Sequence, residues 1–290
     1  MAEGNPEPPA GRVAAQSDQV AWWLDSDPRK ALEKYMRMYR KSAYASHNFR
    51  AVRRILPTPS RAGAIALDYG CGGGQITVLL ARLGYHVTAT DSAACALAAC
   101  KVHLEDEKIA DRVQLVLKEV SANWQGLDGP FDLIVAKDVI EHIQDDAGFL
   151  REVARRLLPG GKLLLVTQND YSWNYWLEAP QALAKDPYWM GWHSTEHVRF
   201  YNKPRLKGML RAFGFRPVRW QGHYLLPYRA FKGWFFCKLR NAVDKLLGEE
   251  AFYWPDRLLG LHWPFNGLGW SIQVLAIKEP NWSNTDDREN

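Results

Sequence analysis

The stretch LDYGCGGGQ, residues 67–75, sets a carboxylate, Asp68, directly before glycines at 70, 72, 73 and 74. Glycine accepts the turn from a strand into a helix and lets backbone N–H groups approach a ligand closely. A dinucleotide fingerprint, G-x-G-x-x-G, would require a third glycine where Gln75 stands. Asp68 would also repel a pyrophosphate, whereas it suits a ligand carrying an ammonium and a sulfonium. About 20 residues on, HVTATD ends in Asp91, placed to accept hydrogen bonds from both hydroxyls of a ribose. Alone, Asp91 does not separate a nicotinamide cofactor from a sulfonium one.

A second constellation is DVIEHI, with Asp138, Glu141 and His142. In a helical turn Asp138 shares a face with Glu141 or His142, so the three can act together on a proton. Further on, HSTEH (193–197) spells an inverted zinc-protease pattern. That pattern needs a regular helix, and the flanking Gly191, Trp192 and VRFY argue against one. His193, Glu196, His197 and Arg199 are instead expected to line an acceptor pocket walled by Trp189 and Trp192. The catalytic candidates are His142 as base, with Glu141 and His197.

Short apolar strands alternating with amphipathic helices must hold these groups. AIALDYG, HVTATD, RVQLVLKE, FDLIVAKD and KLLLVTQ read as strands buried on both faces. QITVLLARLG, CALAACKVHL and AGFLREVARRLLPGG read as the helices between them. The expected fold is α/β, a Rossmann-like, mostly parallel seven-stranded sheet with helices on both faces. RPVRWQGHYL and GWSIQVLAIK would close the sheet. Before it, DSDPRKALEKYMRMYRKS predicts a helix capped by Asp27, with Leu32, Tyr35, Met36 and Tyr39 on one face.

The series Asp68, the glycines, Asp91, FDLIVAKDVIEHI and LLPGGKLLL, in this order from about Ala64 to Phe215, resembles the class I S-adenosylmethionine-dependent methyltransferase family. DVIEHI, TQND and HVRFYNKPRL look most like the ubiquinone-biosynthesis O-methyltransferase branch. The resemblance implies that the loop of Asp68, Gly70, Cys71, Gly72 and Gly74 lies against the methionine part of S-adenosylmethionine. It puts Asp91 at the ribose, Ser92 at the adenine edge, Glu119 and Val120 at the adenine-contacting turn, and Ala136 and Lys137 beside the sulfonium. The family's Asp-Ala pair at that turn is absent here. Relatives can hold a divalent metal on an acid-x-x-Glu-His element. Asp138, Glu141 and His142 match it with a shorter first ligand, and His193 or His197 could complete the shell; no metal is assigned.

With 290 residues, 47% hydrophobic and 12% aromatic, the chain has ample material for a core. A net charge of +5 gives little support to a nucleic-acid partner. The four cysteines lack metal or disulfide spacing, which points to free thiols in a reducing, cytoplasmic setting. The expected organisation is a disordered tail (1–19), a methyltransferase domain (20–280) and a short tail (281–290). The domain would carry a helical cap (20–56), a substrate-side insertion (169–203) and an aromatic, basic insertion (227–267). The last mixes Trp and Phe with Arg and Lys, fit either for a buried cap or for peripheral contact with the inner face of a membrane. The expected activity is O-methylation of a lipophilic or aromatic small molecule. Methylation of RNA or peptide is the alternative, as is a non-catalytic, membrane-associated cofactor binder.

Overall fold

The computed structural model describes residues 27–41, 43–118, 124–185, 197–225, 242–243, 245–248, 254–280 and 282. Its strands are β1 Ile65–Tyr69, β2 His86–Asp91, β3 Val113–Leu117, β4 Phe131–Lys137, β5 Leu157–Gln168, β6 Phe215–His223 and β7 Ser271–Lys278. They form one sheet in the order β3-β2-β1-β4-β5-β7-β6. All pairs are parallel except those of β7, which runs antiparallel between β5 and β6. The strand order reverses at β1 and β4, so the carboxyl ends of β1, β2 and β4 open the crevice where such sheets bind ligands.

Helices α1 Pro28–Lys41, α2 Ala43–Ile55, α3 Gln75–Arg82, α4 Ala94–Asp106, α5 Asp146–Arg156, α6 Trp173–Lys185, α7 Lys203–Ala212 and α8 Trp254–Leu259 surround the sheet. Continuous Val/Ile/Leu runs give each central strand two buried faces, and each face has its own core. Leu67, Ile134, Leu163 and Val274 pack with Phe149 and Val153 of α5 on one side. Tyr69 stacks on Trp124 there at 4.7 Å. Ala66, Leu133, Val135 and Leu164 pack with Val52 and Ile55 of α2, Leu80 of α3 and Leu104 of α4 on the other.

The cap on α1 forms as the sequence predicts, Asp27 Oδ1 accepting from Arg29 N at 2.9 Å. Ala31 and Leu32 pack on Ala99, so the apolar face of α1 covers α4. Two local expectations change. The segment LLPGG, read as the tail of a helix, already belongs to β5, and a register irregularity between Phe131 and Leu133 accommodates it. DVIEHI is not one helical turn: only Ile140–His142 is helical, as a 3-10 turn, and Asp138 stands before it with φ 55°.

Candidate functional site

The glycine loop is lashed to the end of β2. Gly70 N and Cys71 N both donate to Thr90 O, at 2.8 and 2.9 Å. Gly70 and Gly74 sit at φ 79° and 82°. A Cβ on Gly70 would lie 2.6 Å from Val139 Cγ2, and one on Gly74 2.5 Å from Cys100 Sγ. Both positions therefore exclude any side chain on conformational and steric grounds. Cys71 is buried beside them, its thiol pushed well up by Cys100 and by burial.

Asp91 ends β2 and backs this loop. Its Oδ2 accepts from Gly72 N at 2.8 Å and its Oδ1 from Ala93 N at 2.9 Å. Burial nevertheless raises its carboxyl above its ordinary value, against the pull of these backbone N–H groups. Ser92 is exposed at the tip beyond it. Asp68 faces α3, 2% exposed, and accepts from Thr77 Oγ1 at 2.6 Å. Burial pushes it up to about 6, against the pull of the Thr77 hydroxyl. His103 of α4 puts Nδ1 2.9 Å from Gly73 O, and a carbonyl can only accept, so Nδ1 carries the proton.

The donor set fits a sulfonium nucleoside. A carboxylate has roughly four acceptor sites, so Asp91 can add ribose hydroxyls to its backbone bonds. Asp68 is a buried acid held against its ionised form, and a nearby ammonium group would relieve it.

At the end of β4, Lys137 forms an ion pair with its neighbour Asp138. The Ala136 side chain is buried in the core, leaving only its backbone at the strand end. Glu141 is 1% exposed and its Oε2 accepts from Thr167 Oγ1 at 2.8 Å. Its Oε1 has no hydrogen-bond partner among the described residues. Burial, then the charge of Asp138, raises the Glu141 carboxyl to about 8. The His142 and His197 rings lie 4.7 Å apart at 65°. One ligand atom from each of Glu141, His142 and His197 falls within 4.8 Å of the others. Asp138 is not in this trio: its left-handed backbone and its bond to Lys137 place it apart, and His197 takes the third place.

His197 arrives there because the segment after it is stitched down. Val198 N donates to Glu141 O at 2.8 Å. Arg199, expected in the acceptor pocket, places its guanidinium 2.7 Å from Asp146 Oδ2 and donates to Gln144 O at 2.6 Å. Tyr201 donates to Asp146 Oδ2 at 3.0 Å. Glu119, Val120, Trp189, Trp192, His193 and Glu196 lie outside the described residues. Sequence reading missed Thr77, His103, Asp146 and Thr167. The only signal for Thr167 was its place at the end of a predicted strand, in TQND.

Residues 36–219 match the family model for a methyltransferase domain. The chain is 32% identical over 188 residues to the ubiquinone biosynthesis O-methyltransferase of Methylobacterium sp. strain 4-46, spanning 62% of this chain and 71% of that one. The chain belongs to the class I S-adenosylmethionine-dependent methyltransferases. The counterpart from Xanthomonas oryzae pv. oryzae is 42% identical over 110 residues, covering 37% of this chain and only 44% of its own length. Among solved structures, the methyltransferase bound to the Haloferax volcanii Trm112 activator aligns with a TM-score of 0.58 at 15% identity, covering 92% of this chain and 100% of that one. The [4+2]-cyclase SpnF aligns at 0.53 and 20% identity, covering 81% of each. Haemonchus contortus phosphoethanolamine N-methyltransferase 2, a complex with phosphomonomethylethanolamine and S-adenosylhomocysteine, aligns at 0.53 and 18%, covering 81% of this chain and 52% of that one. At such identities these structures speak for the fold alone. A cyclase, an N-methyltransferase and this methyltransferase share it, so the acceptor must be argued from the site.

Proposed function

We propose that this methyltransferase moves a methyl group from S-adenosylmethionine to an oxygen of a lipophilic or aromatic small molecule. The observation that carries the reading is the placement of Glu141, His142 and His197 at the tip of β4, beside the crevice that the glycine loop and Asp91 edge. The names of the curated relatives support oxygen as the acceptor atom. When bound, the cofactor supplies an activated methyl and a neutral leaving group. The protein then has to align the acceptor and take its hydroxyl proton. In this reading Asp68, Gly70, Cys71, Gly72 and Gly74 hold the methionine part. Asp91 holds the ribose and Ser92 borders the adenine, with the backbone at Ala136 and Lys137 beside the reacting sulfur. His142 is the base, and Glu141 and His197 hold its ring in place.

A second reading is favoured by one feature: the trio of ligand atoms with Glu141 Oε1 still open. Two imidazoles and a carboxylate are a suitable donor set for a divalent ion that would orient an acceptor oxygen. Contact with a lipid surface is supported by exposed Trp173, Trp176 and Leu177 on α6 and by Trp254, Leu258 and Trp263. No helix of the described residues is long and apolar enough to cross a membrane.

The deciding experiment combines the protein with S-adenosylmethionine and catechol as a model acceptor and follows both S-adenosylhomocysteine and methylated catechol. Stoichiometric formation of the two supports the reading. Cofactor binding without product from catechol or a wider panel of phenols supports the non-catalytic alternative.

A further inference from the structure

Glu141 and His142 share the 3-10 turn after β4, so that strand fixes both. His197 comes from another part of the chain and must be brought to them. Further along its segment, β5 holds the backbone: Tyr201 N donates to Gln168 O at 3.4 Å, and Asp170 N to Tyr201 O at 3.0 Å. The Phe200 ring lies between Tyr175 and Trp270, at 5.0 and 6.5 Å. The stretch from His197 to Arg199 is held differently. Val198 N donates to Glu141 O, and the side-chain anchor is Asp146, only 8% exposed. Asp146 Oδ2 lies 2.7 Å from the Arg199 guanidinium and 3.9 Å from that of Arg205, and it accepts from the Tyr201 hydroxyl at 3.0 Å. The same groups close on the turn that carries Glu141 and His142. Arg199 also donates to Gln144 O at 2.6 Å, and the Tyr201 hydroxyl stands 3.3 Å from Ile140 O. Burial, then the charge of Asp146, pushes that hydroxyl well up, which keeps it a donor. Asp146 begins α5, where the positive end of the helix favours a carboxylate. Hydrogen bonds to an ionised acceptor are about twice as strong as neutral ones.

We propose that Asp146 is a positioning residue for methyl transfer: acting through Arg199, it decides whether His197 stands against His142, and so whether the acceptor meets an assembled site. The proposal rests on the Glu141–His142–His197 trio being the reacting end. Tyr201 is tied to β5 by its own backbone, so the loss of Asp146 frees the residues before it rather than the whole segment. The ring contact of His142 and His197, 4.7 Å between centroids, is the geometry at stake. The cofactor half of the crevice stands on separate bonds, from the glycine loop to Thr90 O and from Gly72 N and Ala93 N to Asp91. Asp146 therefore governs the acceptor half and leaves the cofactor half alone.

The test compares the full chain with Asp146→Asn, His197→Ala and the double variant. Three quantities are read: methyl transfer from S-adenosylmethionine to catechol, calorimetric affinity for S-adenosylhomocysteine, and the magnetic-resonance contact between the His142 and His197 rings in histidine-labelled protein. Asp146→Asn should lose the ring contact and keep its affinity for S-adenosylhomocysteine. Its kcat should fall by about 10²-fold, the cost of a misplacement of about 1 Å. Because Asp146 acts through His197, the double variant should be no slower than His197→Ala alone, whereas independent effects would multiply. Arg199→Met should repeat the pattern, and it serves if Asp146→Asn does not fold; Arg199→Lys, which keeps the charge, should recover part of the rate. A ring contact missing from the wild type, or surviving in both Asp146→Asn and Arg199→Met, overturns the proposal. So do rate losses that multiply. A wild type that binds S-adenosylhomocysteine but methylates neither catechol nor a wider panel of phenols sinks the chemical reading instead, and the ring contact then decides by itself whether Asp146 places His197.

Discussion

Thr167 donates its hydroxyl to Glu141 across 2.8 Å, joining the end of β5 to the turn after β4. Both residues are buried, and the bond sets which carboxylate oxygen is committed and which faces the two histidines. Thr167→Val keeps the shape and deletes the donor. It should cost about 1–3 kcal/mol of stability, read from denaturant midpoints, and lower turnover more than it changes cofactor affinity. Unchanged turnover would mean that the orientation of Glu141 does not matter to the reaction.

Asp68 gives a pH prediction. Its carboxyl is raised from 3.8 to about 6 in the fold, so the native state favours the protonated form more than the unfolded chain does. This contribution is present in full below about pH 4 and is lost as pH rises through 6, a change of about 3 kcal/mol at 1.36 kcal/mol per unit. Asp68→Asn should flatten that part of the stability curve and make the protein more stable at pH 7.5. If the carboxylate meets the cofactor's ammonium, wild-type affinity for S-adenosylhomocysteine should climb through pH 6, and the variant should bind weakly at every pH. Calorimetric titrations at pH 5 and 7.5 decide it.

Asp91→Ala removes an acceptor that already serves Gly72 N and Ala93 N. Cofactor affinity should fall by about 1–3 kcal/mol through lost hydrogen bonds. Loosening of the loop should also lower the melting temperature. Full affinity for S-adenosylhomocysteine in the variant would remove Asp91 from the site.

The two readings of the trio diverge under chelation. If His142 is a base, His142→Ala should slow turnover by about 10²–10⁴-fold, cofactor binding should stay near normal, and dialysis against EDTA should leave the wild type active. If the trio holds an ion, EDTA should abolish activity, added divalent ions should restore it, and elemental analysis should find about one equivalent that His197→Ala and Glu141→Gln both lose.

Lipid contact is tested by flotation with liposomes containing anionic lipid. Exchanging Trp173, Trp176 and Leu177 for serine should reduce the bound fraction without changing the melting temperature, since all three are half exposed. Equal flotation of variant and wild type would move the contact elsewhere or remove it.

Much of this architecture could be read from the chain because local signals and tertiary burial agree. The Val/Ile/Leu runs of β1, β4 and β5 have two buried faces, and Asp27 caps its helix as its chemistry dictates. Asp68 and Asp91 fall at the carboxyl ends of β1 and β2, and the glycines in the turn that follows β1, where the strand-turn-helix pattern put them. The Glu141–His142–His197 cluster could be read only in part. A 3-10 turn and a left-handed residue replace the expected helical turn, so spacing misplaced Asp138. His197 joins through Val198, Arg199 and Tyr201, contacts more than fifty residues away that no periodicity encodes. The pairing of Gln221 with Gln273 was equally hidden, because the two become neighbours only through the antiparallel register of β6 and β7.

That register also bears on how the protein is born. Strand β7 is the last to be synthesised, yet it lies between β5 and β6. When β6 has left the ribosome, both it and β5 present bare backbone edges, the kind that recruit strands from other chains. At about 5–20 residues per second, the 55 residues from His223 to Lys278 take roughly 3–11 s to appear. During that interval this side of the nascent sheet is an open seam, and chaperone capture of chains stalled before Ser271 should exceed that of chains released after Lys278.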